Sequence, residues 1–99
     1  MIAVDTNVLV YAHRGELPLH GRARARLTAL AEGASLEVLY PGDRFLPLLF
    51  EEAQQASAAG NLLFDAQIVA VCREAGASAL LTEDCDFARF PSLPTVRLG

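Results

Sequence analysis

The sequence predicts an α/β domain built on a parallel sheet between helical layers, and three observations carry that prediction. A short all-apolar run at residues 2 to 4 and a second run at residues 78 to 82 with Leu80 and Leu81 at its centre read as buried strands near both ends of the chain. Between them, apolar residues recur at helical spacing. The changes of pattern are marked by Gly, Pro, Asp or Asn, the residues that start, stop or turn the chain. Strands separated by helices are joined by right-handed crossovers, and crossovers of that kind give parallel pairing.

A chain of 99 residues makes one domain, residues 1–99, and at this size it buries roughly 60 to 70% of its unfolded surface, enough for a single core. Hydrophobic residues make up 53% of it, yet no apolar run approaches the roughly 20 residues of a membrane span. The first apolar run is cut at Asp5 and has no basic segment before it, so no secretory signal is expected and the cytoplasm is the expected compartment. Cys72 and Cys85 lack CxxC spacing and a paired histidine, which argues against a disulfide framework and against zinc. The net charge of −4 argues against nucleic acid as a partner unless several of the acids are neutralised by a metal ion. All eight basic residues are Arg.

Residues 2 to 4 form the first strand, and Thr6 and Asn7 start a helix over the apolar run Val8 to Ala12. Pro18 suits the first turn of a second helix, whose Leu19, Ala23, Leu27 and Leu30 make an apolar edge up to Gly33. Arg22, Arg24 and Arg26 lie on its other faces, either as a solvated surface or as a surface for phosphate. Leu36, Val38 and Tyr40 alternate as a strand ended by Pro41 and Gly42.

Asp43 is then placed to cap a helix with Leu46, Leu49, Phe50, Ala53 and Ser57 on one face and Glu51 and Glu52 toward water. Asn61 opens the next helix and Gly76 ends it. Along this helix Asp65, Ile68, Cys72 and Ala75 share a stripe, which puts an acid on an apolar face one turn from the helix start. Part of the reason is general, because an acid in a first turn gains about 0.3–1 kcal/mol from the helix dipole. Residues 78 to 82 and 95 to 97 complete four predicted strands.

The acids carry the chemistry. Asp5 and Asp84 each follow the carboxyl end of a strand, and Asp65 stands near the amino end of the helix that leads into the second of those strands. Ligands of open α/β sheets bind outside the carboxyl ends of strands, so the three acids are expected at one edge of the sheet. Like charges gathered there raise one another's pKa unless a cation lies between them. An all-oxygen set without Cys or His favours Mg²⁺ or Mn²⁺ over zinc, and such ions serve phosphodiester hydrolysis by acidifying a water and stabilising the leaving oxygen. Asp86 is either a further ligand or a turn-forming residue. His13 and His20 have no partner motif, no serine has a nucleophile-elbow context, and no glycine-rich phosphate loop follows the first strand.

Three blocks, Val4-Asp5-Thr6-Asn7-Val8-Leu9, Asn61-Leu62-Leu63-Phe64-Asp65-Ala66-Gln67-Ile68 and Leu81-Thr82-Glu83-Asp84-Cys85-Asp86-Phe87, resemble the PIN-domain family and, within it, VapC-type toxins, in the family's order. The resemblance implies a three-layer PIN-like (Rossmann-like) parallel-sheet fold, with Asp5, Asp65 and Asp84 as catalytic, metal-binding acids and Asp86 as an occasional further ligand. It also implies that Thr82 accompanies the last pair and that Asn7 orders the first loop. The implied activity is Mg²⁺- or Mn²⁺-dependent endonucleolytic cleavage of RNA by the toxin of a toxin–antitoxin system, with a cognate antitoxin and a homodimer as partners.

Between the Arg-bearing helix and the strand at 36 to 40 the family usually carries a further central strand and a helix pair with a glutamate of the metal site. Here only Gly33-Ala34-Ser35 stand in that place, and neither Glu32 nor Glu37 has the context of that glutamate. The shortening is expected to leave an open sheet edge and apolar surface, covered either by the strand at 36 to 40 or by a second chain. Two other readings stay open, a catalytically silent remnant that binds antitoxin or RNA and a different metal-dependent phosphohydrolase on a similar sheet.

Overall fold

The structure, a computed structural model, describes residues 1–33 and 38–98. The described elements follow the order β1 (Ile2–Val4), α1 (Thr6–His13), α2 (His20–Gly33), α3 (Phe45–Gln55), α4 (Leu62–Glu74), β2 (Ala79–Leu81), a 3-10 helix (Cys85–Arg89) and β3 (Thr95–Val96). The three strands form one parallel sheet in the order β1-β2-β3. Ile2 pairs with Ala79, Ala3 with Leu80 and Val4 with Leu81, so the two ends of the chain meet in the first ladder.

Alternation along these strands divides the core between two faces. Ala3 and Leu80 point into a cluster with Ala66, Val69 and Cys72 of α4 and with Phe87, Phe90 and Leu93 of the segment before β3. Leu81 lies on the other face with Val8 of α1 and Ala23 of α2, and Val4, Tyr11, Leu27 and Leu30 pack around them. Helix pairs α1–α2 and α3–α4 therefore cover opposite faces of the sheet, as both-face-apolar strands require. No described helix is long and apolar enough to cross a membrane.

Where the sequence predicts four strands, the described residues form three. Residues 38–40 are not a strand but irregular chain, and residues 36 and 37 of the predicted strand lie outside the described residues. The segment lines the same cavity as β1 without pairing with it, and a strand without a ladder partner leaves its backbone groups unsatisfied.

Helix α3 is turned part-way from the predicted face, of which Leu49 still packs against the core. Leu48, Glu52 and Ala56 are its buried residues, while Leu46 and Phe50 are exposed. Glu52 goes inside because two groups answer it: Oε1 accepts from Arg73 Nη1 at 2.7 Å and from the Ser92 hydroxyl. Its Oε2 is buried without a hydrogen-bond partner.

Asp43 does not cap α3. The carboxylate of Glu74, from the end of α4, accepts from the amides of Gly42 and Arg44 at 2.7 Å each and satisfies this helix start from outside. A Cβ at Gly42 would stand 2.9 Å from Glu74 Oε2, so a larger residue there would make the Glu74 carboxylate shift.

Helix α4 ends as predicted at Gly76, whose φ is +82°. The Ala77 amide donates to the Cys72 carbonyl at 3.0 Å and that of Gly76 to Arg73 at 3.0 Å, the paired bonds of a Schellman motif. The same motif closes α3, where Ala58 bonds Ala53 and Ser57 bonds Gln54, but there the left-handed position is held by Ser57 at φ +49°. Ser57 is thus the residue that stops the helix rather than part of its face.

Candidate metal site

Asp5 is the last residue before α1 and its side chain acts as the helix cap, accepting from the main-chain amide of Asn7 at 3.4 Å. The Asn7 contribution is therefore its backbone N–H, which places the resemblance's loop-ordering residue but not through its side chain. Asp5 is buried, and its other oxygen, Oδ2, accepts from the Thr82 hydroxyl at 2.7 Å. Thr82, also buried, uses the same oxygen to accept from the Asp84 amide at 3.1 Å. One hydroxyl thus locks the ends of β1 and β2 together and fixes where the chain turns toward Asp84.

Asp84 in turn caps the 3-10 helix, its Oδ1 accepting from the Asp86 amide at 2.9 Å. The turn-forming role that the sequence allowed for Asp86 is fulfilled by Asp84, and the Asp86 carboxylate is left exposed to solvent. Asp65 reaches the same place from the first turn of α4. It lies half-buried at the margin of that helix's apolar stripe, which is formed by Ala66, Val69, Ala70 and Cys72, not by the predicted Ile68.

Carboxylate oxygens of Asp65, Asp84 and Asp86 all lie within 4.8 Å of one another. Asp5 stands behind this trio; its charge reaches Asp65, but it is not one of the three that converge to that distance. The Asp65 carboxyl is held above its ordinary pKa, first by burial and then by the charges of Asp84, Asp86 and Asp5. Among the described residues no salt bridge involves any of the four aspartates.

The donor set fits a hard divalent ion. Ligand bonds of about 2.1 Å put two oxygens on one Mg²⁺ at most about 4.2 Å apart, so small turns of the carboxylates bring the three within reach. The trio consists of carboxylates alone, the chemistry that favours Mg²⁺, Mn²⁺ or Ca²⁺ over softer ions.

Other groups contribute elsewhere. His20 Nδ1 lies 3.0 Å from the Tyr11 carbonyl and ties α2 to α1. Glu83, between Thr82 and Asp84, turns away from the trio to accept from Arg97 Nε at 3.1 Å and from the Leu98 amide at 3.0 Å, anchoring the chain beyond β3. Sequence reasoning did not find the Glu52–Arg73–Ser92 cluster, since its members are scattered over 40 positions; the only local signal was an acid on the i, i+4 row of Leu48 and Ala56. No protein-family model matches the chain, and no curated protein matches it significantly.

Proposed function

We propose that the chain is a PIN-like domain that binds Mg²⁺ or Mn²⁺ and cleaves RNA phosphodiester bonds as a VapC-type toxin does. The observation that carries this reading is the convergence of Asp65, Asp84 and Asp86, backed by buried Asp5, with no cationic side chain of the described residues to answer them. Four negative charges at one edge of a small sheet are a stability cost unless the protein has a use for them.

When bound, a divalent ion supplies a water acidic enough to deprotonate near neutral pH and a positive centre for the leaving oxygen. Asp65, Asp84 and Asp86 would hold it. Asp5 keeps a negative field behind the site and, through Thr82, fixes the strand ends from which the ligands project. Thr82 is a positioning residue: it holds Asp5 by donating to it and the Asp84 backbone by accepting from it.

A reading without turnover, in which the domain only binds a cognate antitoxin or RNA, is favoured by one observation. Both Asp5 oxygens are already engaged inside the protein, leaving three acids for the ion. The test is incubation of the protein and of Asp65→Asn with single-stranded RNA in Mn²⁺, in Mg²⁺ and in chelator. Cleavage that needs metal and is lost in the variant is the expected result. A folded protein that binds Mn²⁺ but leaves every RNA intact would replace the nuclease with the binding reading.

A further inference from the structure

We propose that Arg97 binds a backbone phosphate of the substrate strand, next to the phosphate that the ion holds, so that the site accepts a polynucleotide in preference to a single phosphoester. This rests on the reading of the aspartates as an ion site for RNA.

The place of Arg97 follows from the sheet. Leu81 of β2 pairs with Val96 of β3, and the Thr82 amide donates to the Val96 carbonyl at 3.0 Å. Arg97 is the next residue, so it leaves β3 at the same carboxyl edge, about one strand spacing of 4.8 Å from Thr82. Thr82 in turn holds both Asp5 and the Asp84 amide. The parallel ladder therefore brings a cationic residue to the edge where the acids gather.

The guanidinium is also oriented. Oε2 of Glu83, the residue between Thr82 and Asp84, accepts from Arg97 Nε at 3.1 Å and from the Leu98 amide at 3.0 Å. The main chain thus fixes the carboxylate, and the carboxylate fixes the arginine. Attachment through Nε leaves both Nη groups without a partner among the described residues, and that end of the fork meets a phosphate with two parallel bonds. The side chain of Arg97 is 58% exposed and that of Glu83 14%, so the pair turns its cation outward. Because Glu83 points away from the trio, it holds Arg97 beside the three acids and leaves them for an ion.

Charge supplies the reason for a cation there. One divalent ion answers only two of the four negative charges of Asp5, Asp65, Asp84 and Asp86, so a polyanion approaching the loaded edge is still repelled. A cation beside the ion offsets that repulsion, and contacts to phosphate are what set the position of a nucleic-acid strand. Stability does not account for the arginine. An exposed ion pair contributes little, and the Leu98 amide already answers Glu83.

The experiment measures binding of a short single-stranded RNA by fluorescence anisotropy in Ca²⁺ over a salt series, for wild type, Arg97→Gln and Arg97→Lys, with Mn²⁺ binding followed by calorimetry. Arg97→Gln is expected to weaken RNA binding about 10-fold and to lower the slope of log affinity against log salt by about 1, with Mn²⁺ affinity unchanged. Arg97→Lys keeps the charge but loses the fork, so it is expected to restore the slope and only part of the affinity. If Arg97→Gln binds RNA with wild-type affinity and slope, this proposal falls and the reading of the aspartates stands. If the variant loses Mn²⁺ and RNA binding alike, Arg97 is a structural residue and the proposal falls too. A wild type that binds no RNA with metal present sinks the RNA reading and the role of Arg97 together. A wild type that binds RNA through Arg97 yet never cleaves it upholds the proposal and removes only the nuclease.

Discussion

Replacing Asp65 by Asn should make the protein more stable without metal and less stable with it. Without metal, the Asp65 carboxylate faces Asp84 and Asp86 with oxygens inside 4.8 Å, and its pKa is raised by burial and by those charges. In Coulomb terms one such pair at 4.8 Å is worth about 0.9 kcal/mol in bulk water and more in a lower dielectric. The groups are largely solvated, so the scale of exposed pairs, about 0.5 kcal/mol each, is the appropriate one. Two neighbours then give about 1 kcal/mol, or about 4–8 °C in Tm for a domain of this size. Asn removes the charge and keeps the shape.

The sign follows from linkage. A carboxyl whose folded pKa is raised binds its proton more tightly in the folded state, so stability falls as pH rises from the ordinary value near 3.9 through the raised one. The advantage of Asp65→Asn is therefore absent at about pH 3, opens through that window and is complete at pH 7. With metal at 100 times its Kd, wild type gains about 2.7 kcal/mol, and the variant, lacking one of three ligands, gains far less. Thermal unfolding in chelator and in Mn²⁺ at pH 7 should thus show the two curves exchanging order. A variant already less stable than wild type in chelator, or an equal gain from metal in both, would refute the reasoning.

Arg73→Met should cost about 3 kcal/mol in urea unfolding, because Glu52 is fully buried and would lose its cationic partner, whereas Glu52→Met combined with Arg73→Met should recover most of that loss. If the double variant is no better than the single one, the cluster is not the source of the cost. Ser57→Gly should stabilise by about 1 kcal/mol by relieving the left-handed position at the end of α3, measured by the same unfolding; a loss would mean that the serine side chain has an unrecognised role. Under a thiol reagent at pH 8, exposed Cys85 should react quickly and Cys72 only on unfolding, since burial first and the Asp5 charge second push the Cys72 thiol up to about 11. Two fast thiols in the native protein would contradict the packing of α4 on the sheet.

The parts of the fold that local chemistry specifies were legible in the sequence. The helix start after Asp5, the stop at Gly76 and the apolar strands near both ends each follow from residues within a few positions of one another. So was the gathering of Asp65 and Asp84 at one edge, because strand ends and helix starts in a parallel sheet fall on the same side. The facing of α3 was not legible, because Leu46 and Phe50 give an apolar row as good as that of Leu48 and Ala56. What chooses between them is a buried ion pair with Arg73, 21 positions further on. The cap from Glu74 is missed for the same reason, coming from 30 positions away. At 38–40 the strand propensity is real, but propensity cannot supply a ladder partner. The retreat of Asp5 behind the trio reflects its bond to Thr82, a pairing of residues 77 apart.

That same distance bears on how the protein comes into being. The α1–α2 and α3–α4 hairpins are local in sequence, and contacts of that kind form early. The β1–β2 ladder must wait until residues 79 to 81 exist, more than 70 positions after β1, and closing so long a loop is entropically slow. During synthesis β1 therefore leaves the ribosome many seconds before its partner, at about 5–20 residues per second, with neither edge covered. Because the Asp5 carboxylate waits at the end of β1 for the Thr82 hydroxyl, the support behind the aspartate trio is assembled only once the chain has been made past residue 86.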